Sequence, residues 1–299
     1  MSHAGVESLI GFLADSGLGS ASIEEQRRWM AESTASAPAP EGVRVEPGSL
    51  GGRPAEWLHP TEGVRGGVVL YLHGGGYCTG SLGTHRHLAG RIALATGASA
   101  VTVDYRLAPE HPFPSAIADA TAAYEELRSL GHAPEEMAVA GDSAGGGLTL
   151  ATLLTLRDAG TPLPAAAACL SPWTDLTLSS PSHATAGAED PMVSKTGLET
   201  FVAAYLGQGE TSARDPRVSP VFADLGGLPP IRIDVGEREI LLDDSIALAD
   251  RIVASGGEAT LARWAEMIHV FQAFPGALDP EAGESVAAIG EFLAGHLRV

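Results

Sequence analysis

The chain reads as an α/β protein built on a doubly wound, mostly parallel sheet. Apolar runs recur that stop abruptly at glycines or turn residues, as strands buried on both faces do. Helix-like stretches separate these runs, so strand and helix alternate along the 299 residues. That length accommodates one large domain with an inserted cap and a sizeable core.

Taken in order, residues 5–14 place Val6, Leu9, Ile10 and Leu13 on one face of a helix. "TASAPAPE", residues 34–41, reads as a flexible joint. "GVRVEPG" and "PAEWLHP" alternate and predict a first pair of strands. "GGVVLYLHGGG" is a continuous apolar run closed by glycines, and "GASAVTVDYR", "EEMAVAGDS", "LPAAAACLSPW" and "LPPIRIDVGE" repeat the pattern. Stretches 115–130 and 144–159 between them have helical character. "EATLARW" predicts a last strand, and residues 280–297 a last helix with Val286, Ile289, Leu293 and Leu297 on one face. Together these give a sheet of about eight strands.

Residues 175–215 break the alternation: they are too long for an ordinary connection and hold helical potential near 195–206. The expected organisation is therefore N-terminal cap helices over 1–40 and a catalytic domain over 41–299, with a cap insertion at about 176–214.

The net charge is −19, which disfavours nucleic acid and anionic membranes as partners. Two cysteines, Cys78 and Cys169, make neither a metal cluster nor a disulfide framework, so a reducing cytoplasm is the expected home. The N-terminal stretch lacks a charged n-region and a long apolar core, and no apolar run reaches membrane-spanning length.

"AVAGDSAGGG", residues 138–147, raises the chemistry. Ser143 stands between Gly141 and Gly145, after a buried strand and before a helix. A G-x-S-x-G elbow of this kind lifts a serine Oγ to the top of a sheet, where it can act as a nucleophile. "HGGG", residues 73–76, follows an earlier buried strand, the place of an oxyanion loop in this architecture. Its expected donors are the N–H groups of Gly74, Gly75 and Ala144, with His73 as a structural hydrogen-bonding residue. Among ten histidines, His269 comes just after the last strand-like segment, where a Ser…acid…His order expects the base, whereas His296 lies farther on, outside the loops at the strand ends. His85 and His87 lack helical ligand spacing and an accompanying carboxylate cluster, so no metal is expected. The acid should lie just past the strand ending near Gly236, among Glu237, Glu239, Asp243 and Asp244. Asp243 and Asp244 also open an apparent helix, where carboxylates cap and offset the dipole. Tyr77 and Asp142 are candidate substrate contacts. Asp175 is expected to support the site from behind, and Trp29, Phe201 and Tyr205 to line the cap.

The motifs "YLHGGGYCTGSLGTHRHLA", "VTVDYRLAPEHPFPSAIADA", "AVAGDSAGGGLTL", "LSPWTDLT", "DPRVSPVFADLGGLPP" and "MIHVF" occur in this order. Over roughly residues 40–297 the chain resembles the bacterial hormone-sensitive-lipase-like carboxylesterases, a branch of the α/β-hydrolase family. The resemblance implies an α/β-hydrolase fold with a helical cap and a serine esterase that needs no cofactor. In that family the acid opens a D-P-L-x-D stretch. Aligned without gaps back from His269, that first position is Glu239 and the second carboxylate is Asp243, so Glu stands where Asp is usual. Glu239 is the expected acid and Asp243 the runner-up. In "DYRLAPEHPFP", Arg106 and Glu110 are expected to organise loops. The resemblance implies small short-acyl esters as substrates and leaves a homodimer open. Two rival readings are a hydrolase of formamides, lactones or carbamates with the same triad, and a small-molecule receptor on an inactive hydrolase fold. The latter fits poorly with a chain that keeps Ser143 and His269.

Overall fold

The computed structural model describes residues 3–17, 19, 21–34, 38–185 and 190–298. Two helices, α1 (His3–Asp15) and α2 (Ile23–Thr34), precede the sheet. The strands are β1 (Val43–Leu50), β2 (Arg53–Pro60), β3 (Val68–Leu72), β4 (Ser99–Val103), β5 (Met137–Asp142), β6 (Ala166–Leu170), β7 (Ile231–Gly236) and β8 (Ala259–Trp264). Among them lie α3 (Leu82–Thr96), α4 (Ser115–Ser129), α5 (Ala144–Asp158), α6 (Ser182–Thr185), α7 (Lys195–Leu206), α8 (Leu242–Ala254) and the final α9 (Glu281–His296). The eight strands form one sheet in the order β1-β2-β4-β3-β5-β6-β7-β8. β2 runs antiparallel to both neighbours, and β3 to β8 are parallel.

The strand period of two divides the core into layers. Val68, Leu70 and Leu72 of β3 face α4 and α5, in company with Val139, Leu127 and Leu148. Val69 and Tyr71 face the other way, onto Leu88, Ile92, Ile289 and Leu293 of α3 and α9. All five β3 residues are fully buried, which is why the sequence there is unbroken apolar. Burying each Val or Leu side chain contributes about 1.5–3 kcal/mol, so this strand anchors both layers. Farther along the sheet, Ile231 and Ile233 of β7 pack on Leu248 and Ile252 of α8.

The predicted face of α1 also packs. Val6 and Leu13 are buried against Met267, Ile268 and Phe271, beside the segment that carries His269. Residues 35–37 of the expected joint lie outside the described residues, as do 186–189 within the expected insertion. That insertion carries α6 and α7. Among the described residues no helix is long and apolar enough to cross a membrane.

Candidate active site

Open parallel sheets place their sites beyond the C-terminal strand ends. There a cavity of about 390 Å³ is lined by Ser143, His269, Gly75, Gly76 and Asp142 from the strand-end loops. Trp29 and Met30 of α2, and Leu198 and Phe201 of α7, close it from above.

Ser143 sits between β5 and α5 with φ +53° and ψ −123°, a backbone conformation that costs a non-glycine residue about 1–3 kcal/mol. The surroundings hold it there. Its N–H donates to Leu170 O at 2.8 Å, and its carbonyl accepts from Trp173 N at 2.9 Å. The glycines around it are needed for space: a Cβ on Gly145 would run into the carbonyls of Leu72 and His73. Strain of this kind turns the side chain out of the helix and into the cavity. Ser143 Oγ makes no hydrogen bond to a described residue, and such contacts often tighten only when substrate binds.

The preceding residue, Asp142, is buried and faces three donors. Its Oδ1 accepts from the Tyr71 hydroxyl at 2.7 Å and from Gly74 N at 3.1 Å. Its Oδ2 lies 3.3 Å from His85 Nε2. Burial alone would push this carboxyl up, but His85 and the Tyr71 hydroxyl bring it below its usual value.

This network corrects one expected oxyanion donor. The Gly74 N–H points at Asp142 rather than into the cavity, so it is already engaged. Gly75 and Gly76 line the cavity instead, at φ +108° and +61°, and their N–H groups have no acceptor among the described residues. A Cβ on Gly76 would run into the Phe201 ring. Ala144 opens α5, where a first-turn N–H has no partner within the helix. His73 is structural. Its Nδ1 is 2.7 Å from Gly74 O, its ring stacks on Tyr105, and burial lowers its pKa to about 3.

Four carboxylates competed for the place behind His269, and the geometry separates them. Glu239 Oε1 lies 3.0 Å from His269 Nδ1, with both side chains buried. Glu239 Oε2 accepts from the Ser171 hydroxyl at 2.7 Å and from Gly236 N at 2.9 Å. Glu237 pairs with Arg263 at the surface. Asp243 accepts from Ser182 N, and Asp244 from Thr174 N and Asp175 N. Neither aspartate caps α8, whose first turn is met instead by the Ser182 hydroxyl accepting from Asp243 N at 3.1 Å; both tie down the segment after β6. Burial opposes a charged His269, but Glu239, with Asp190 and Asp142 farther off, more than offsets it and raises its pKa.

Tyr77 is a second correction. It is buried, stacks on Tyr205 with ring centroids 3.9 Å apart, and does not line the cavity; nor does Tyr205. Trp29 and Phe201 do line it. Asp175 holds a local turn through Thr177 N and Ser179 N. Arg106 grips Asp119, and Glu110 pairs with Arg27.

Sequence reasoning missed three residues, Ser171, Asp190 and Arg27, and left a fourth, His85, as a surface or supporting side chain. Ser171 joins Glu239 to the backbone N–H of Val270, next to His269. Asp190 accepts from Ile240 N, next to Glu239, and from Met192 N and Val193 N at the cavity wall. His85 supports Asp142, and Arg27 reaches the carbonyl of Cys78 at the end of the glycine turn. Of these only His85, in a motif with several polar groups, carried a visible signal. Burial pushes the Cys78 thiol up to about 12 and raises that of Cys169 as well, so neither is a competing nucleophile. Among the described residues no group of three or more His, Cys, Asp or Glu side chains is placed to hold a metal ion.

A cavity with an outward serine on a strained elbow, a buried His–Glu pair and free N–H groups at a glycine turn defines a class: the carboxylic ester hydrolases on an α/β-hydrolase core. Comparison with known proteins agrees. A family model described as the α/β hydrolase fold matches residues 69–273. An acetyl-hydrolase of Streptomyces hygroscopicus is 43% identical, with 83% of each chain covered. An esterase of Acinetobacter venetianus is 38% identical over 75% of this chain and 74% of its own. The crystal structure of an esterase from the bacterial hormone-sensitive lipase family superposes with a TM-score of 0.93 at 41% identity, covering all of both chains. The chain belongs to the α/β-hydrolase family, in its bacterial hormone-sensitive-lipase-like branch.

Proposed function

We propose that the protein hydrolyses small esters of short acyl chains through an acyl-enzyme, with Ser143, His269 and Glu239 as its triad. The observation that carries this reading is the 3.0 Å contact of His269 Nδ1 with Glu239 Oε1, on the cavity that Ser143 faces. His269 takes the proton of Ser143 as Oγ attacks the ester carbonyl. Glu239 keeps the other proton on Nδ1 and stabilises the imidazolium that forms. The N–H groups of Gly75, Gly76 and Ala144 receive the oxyanion, in a site where fixed dipoles need no reorganisation. His269 then protonates the leaving alcohol, and water enters along the same path to release the acid. Asp142 and Tyr71 act indirectly, by holding Gly74 and so the turn that presents Gly75 and Gly76.

The short-acyl preference is supported by the bounded cavity, whose size suits a small ligand. The relative named an acetyl-hydrolase points the same way. Replacing Ser143 with Ala tests the reading. Turnover of p-nitrophenyl acetate should fall by several orders of magnitude while the melting curve stays near the parent's. Activity close to the parent's, in protein free of contaminating esterase, would refute it.

A further inference from the structure

The helix α2 presents an imbalance. It supplies Gln26, Trp29, Met30, Ser33 and Thr34 to the cavity wall. Yet only Gln26 of the whole helix is buried, so apolar packing holds it weakly. Among the described residues, Arg27 makes the only side-chain hydrogen bonds that α2 sends beyond its own segment. Its Nε donates to Cys78 O at 2.7 Å, and its Nη2 to Ala108 O at 2.8 Å. Nη1 and Nη2 also meet the two oxygens of Glu110 at 2.6 and 2.8 Å.

Both carbonyls belong to backbone that shapes the candidate site. Cys78 N donates to Gly75 O, which places the Cys78 carbonyl at the end of the turn bearing Gly75 and Gly76. Ala108 N donates to Tyr77 O, so the second carbonyl lies on the loop that braces the same turn. Arg27 thus spans the seam between a wall-forming helix and the oxyanion turn.

The Glu110 carboxylate is 55% exposed, and an ion pair so open to water contributes little. What fixes the position of α2 is the rigid fork of the guanidinium, which reaches two main-chain carbonyls at once. Resting on the esterase reading above, we propose that Arg27 is a positioning residue for substrate selection: by docking α2 on the carbonyls of Cys78 and Ala108 it sets where Trp29 and Met30 close the cavity. Glu110 orients the fork. A substrate long enough to touch that wall gains from the docking, and one too short to touch it does not.

The test compares Arg27→Met, Arg27→Lys and the charge swap Arg27→Glu with Glu110→Arg. Each is assayed on two pairs: p-nitrophenyl hexanoate against acetate, and hexyl acetate against methyl acetate. Melting temperature and the rate of labelling by a small fluorophosphonate are measured in parallel. In Arg27→Met the preference for the longer partner should fall about tenfold in at least one pair, roughly the loss of two methylene burials. The loss should appear in KM more than in kcat. Lys keeps a donor for one carbonyl and should restore part of the preference. The charge swap rebuilds the ion pair but leaves a carboxylate facing two carbonyls, so it should not restore it. Preferences within twofold of the parent's in both pairs, or a full rescue by the swap, would overturn the proposal. A purely structural role would lower the melting temperature and leave both preferences intact, which also overturns it. A parent protein that is neither labelled nor active would refute the esterase reading itself.

Discussion

Glu239→Gln is a change of one atom with a consequence set by who donates to whom. In the parent, Glu239 Oε2 accepts from both Ser171 and Gly236 N, while Oε1 accepts from His269 Nδ1. A glutamine has one oxygen and one NH₂ for these two places. If the NH₂ took the Oε2 place it would face the fixed N–H of Gly236, donor against donor in a fully buried site, at about 1–3 kcal/mol. The oxygen therefore stays on Gly236 and Ser171, and the NH₂ turns to His269. The imidazole must then accept at Nδ1 and carry its proton on Nε2, the tautomer that cannot take a proton from Ser143. A wrong tautomer of this kind lowers kcat by about 10⁴ in the best-known serine protease triad, or about 5.5 kcal/mol of barrier. The same order is expected here. Because Gly236 and Ser171 keep their acceptor, the melting temperature should move little. Initial rates with p-nitrophenyl acetate and a thermal melt measure both quantities. Asp243→Asn is the control: its carboxylate accepts from Ser182 N and should affect stability by about 1 kcal/mol, not rate. A Glu239→Gln variant within tenfold of the parent, or an inactive and stable Asp243→Asn, would refute the reasoning.

Other outcomes follow from the same geometry. His269 must be neutral to accept a proton, and its pKa is raised, so kcat/KM should fall on acidification through an inflection above the ordinary 6.5. Glu239→Gln removes the largest raising charge and leaves burial against the more distant Asp190 and Asp142, so its residual activity should show that inflection at a lower pH than the parent's; a pH–rate series on both proteins decides. Gly76→Ala should lower kcat by about 10², because the Cβ meets Phe201 and moves an oxyanion donor; unchanged kcat would remove Gly76 from that role. Across a p-nitrophenyl series from acetate upward, kcat/KM should peak at or below hexanoate, and a continued rise past about ten acyl carbons would contradict a bounded cavity of this size.

The sequence made the architecture legible because burial on two faces leaves an unmistakable trace. β3 and β5 are fully buried, and the start of the first strand pair shows alternation because one face of the sheet is exposed there, at Arg44 and Glu46. The elbow and the His269 segment were legible for a related reason: their chemistry requires fixed residue types at fixed chain positions. Glu239 was reached only through the resemblance, since four carboxylates crowd that loop and only the fold turns one of them to His269. Which glycine N–H is free was beyond reach. The answer depends on Asp142, distant in sequence, capturing Gly74. The roles assigned to Tyr77 and to Asp243 as a helix cap failed likewise, because a tight turn buries Tyr77 and a remote segment takes the carboxylate of Asp243. Arg27, Ser171 and Asp190 work through backbone groups far along the chain, and a single sequence carries no sign of such partners.

The central claim is that Ser143 is the nucleophile, and covalent labelling tests it most directly. The protein is treated with a small fluorophosphonate, weighed intact and then mapped by peptide mass. One phosphonyl group should appear per chain, on the peptide that contains Ser143, with loss of ester turnover in step with labelling. Ser143→Ala should take up none. A label on any other residue, or an active protein that stays unlabelled while its ester turnover persists, would contradict the account.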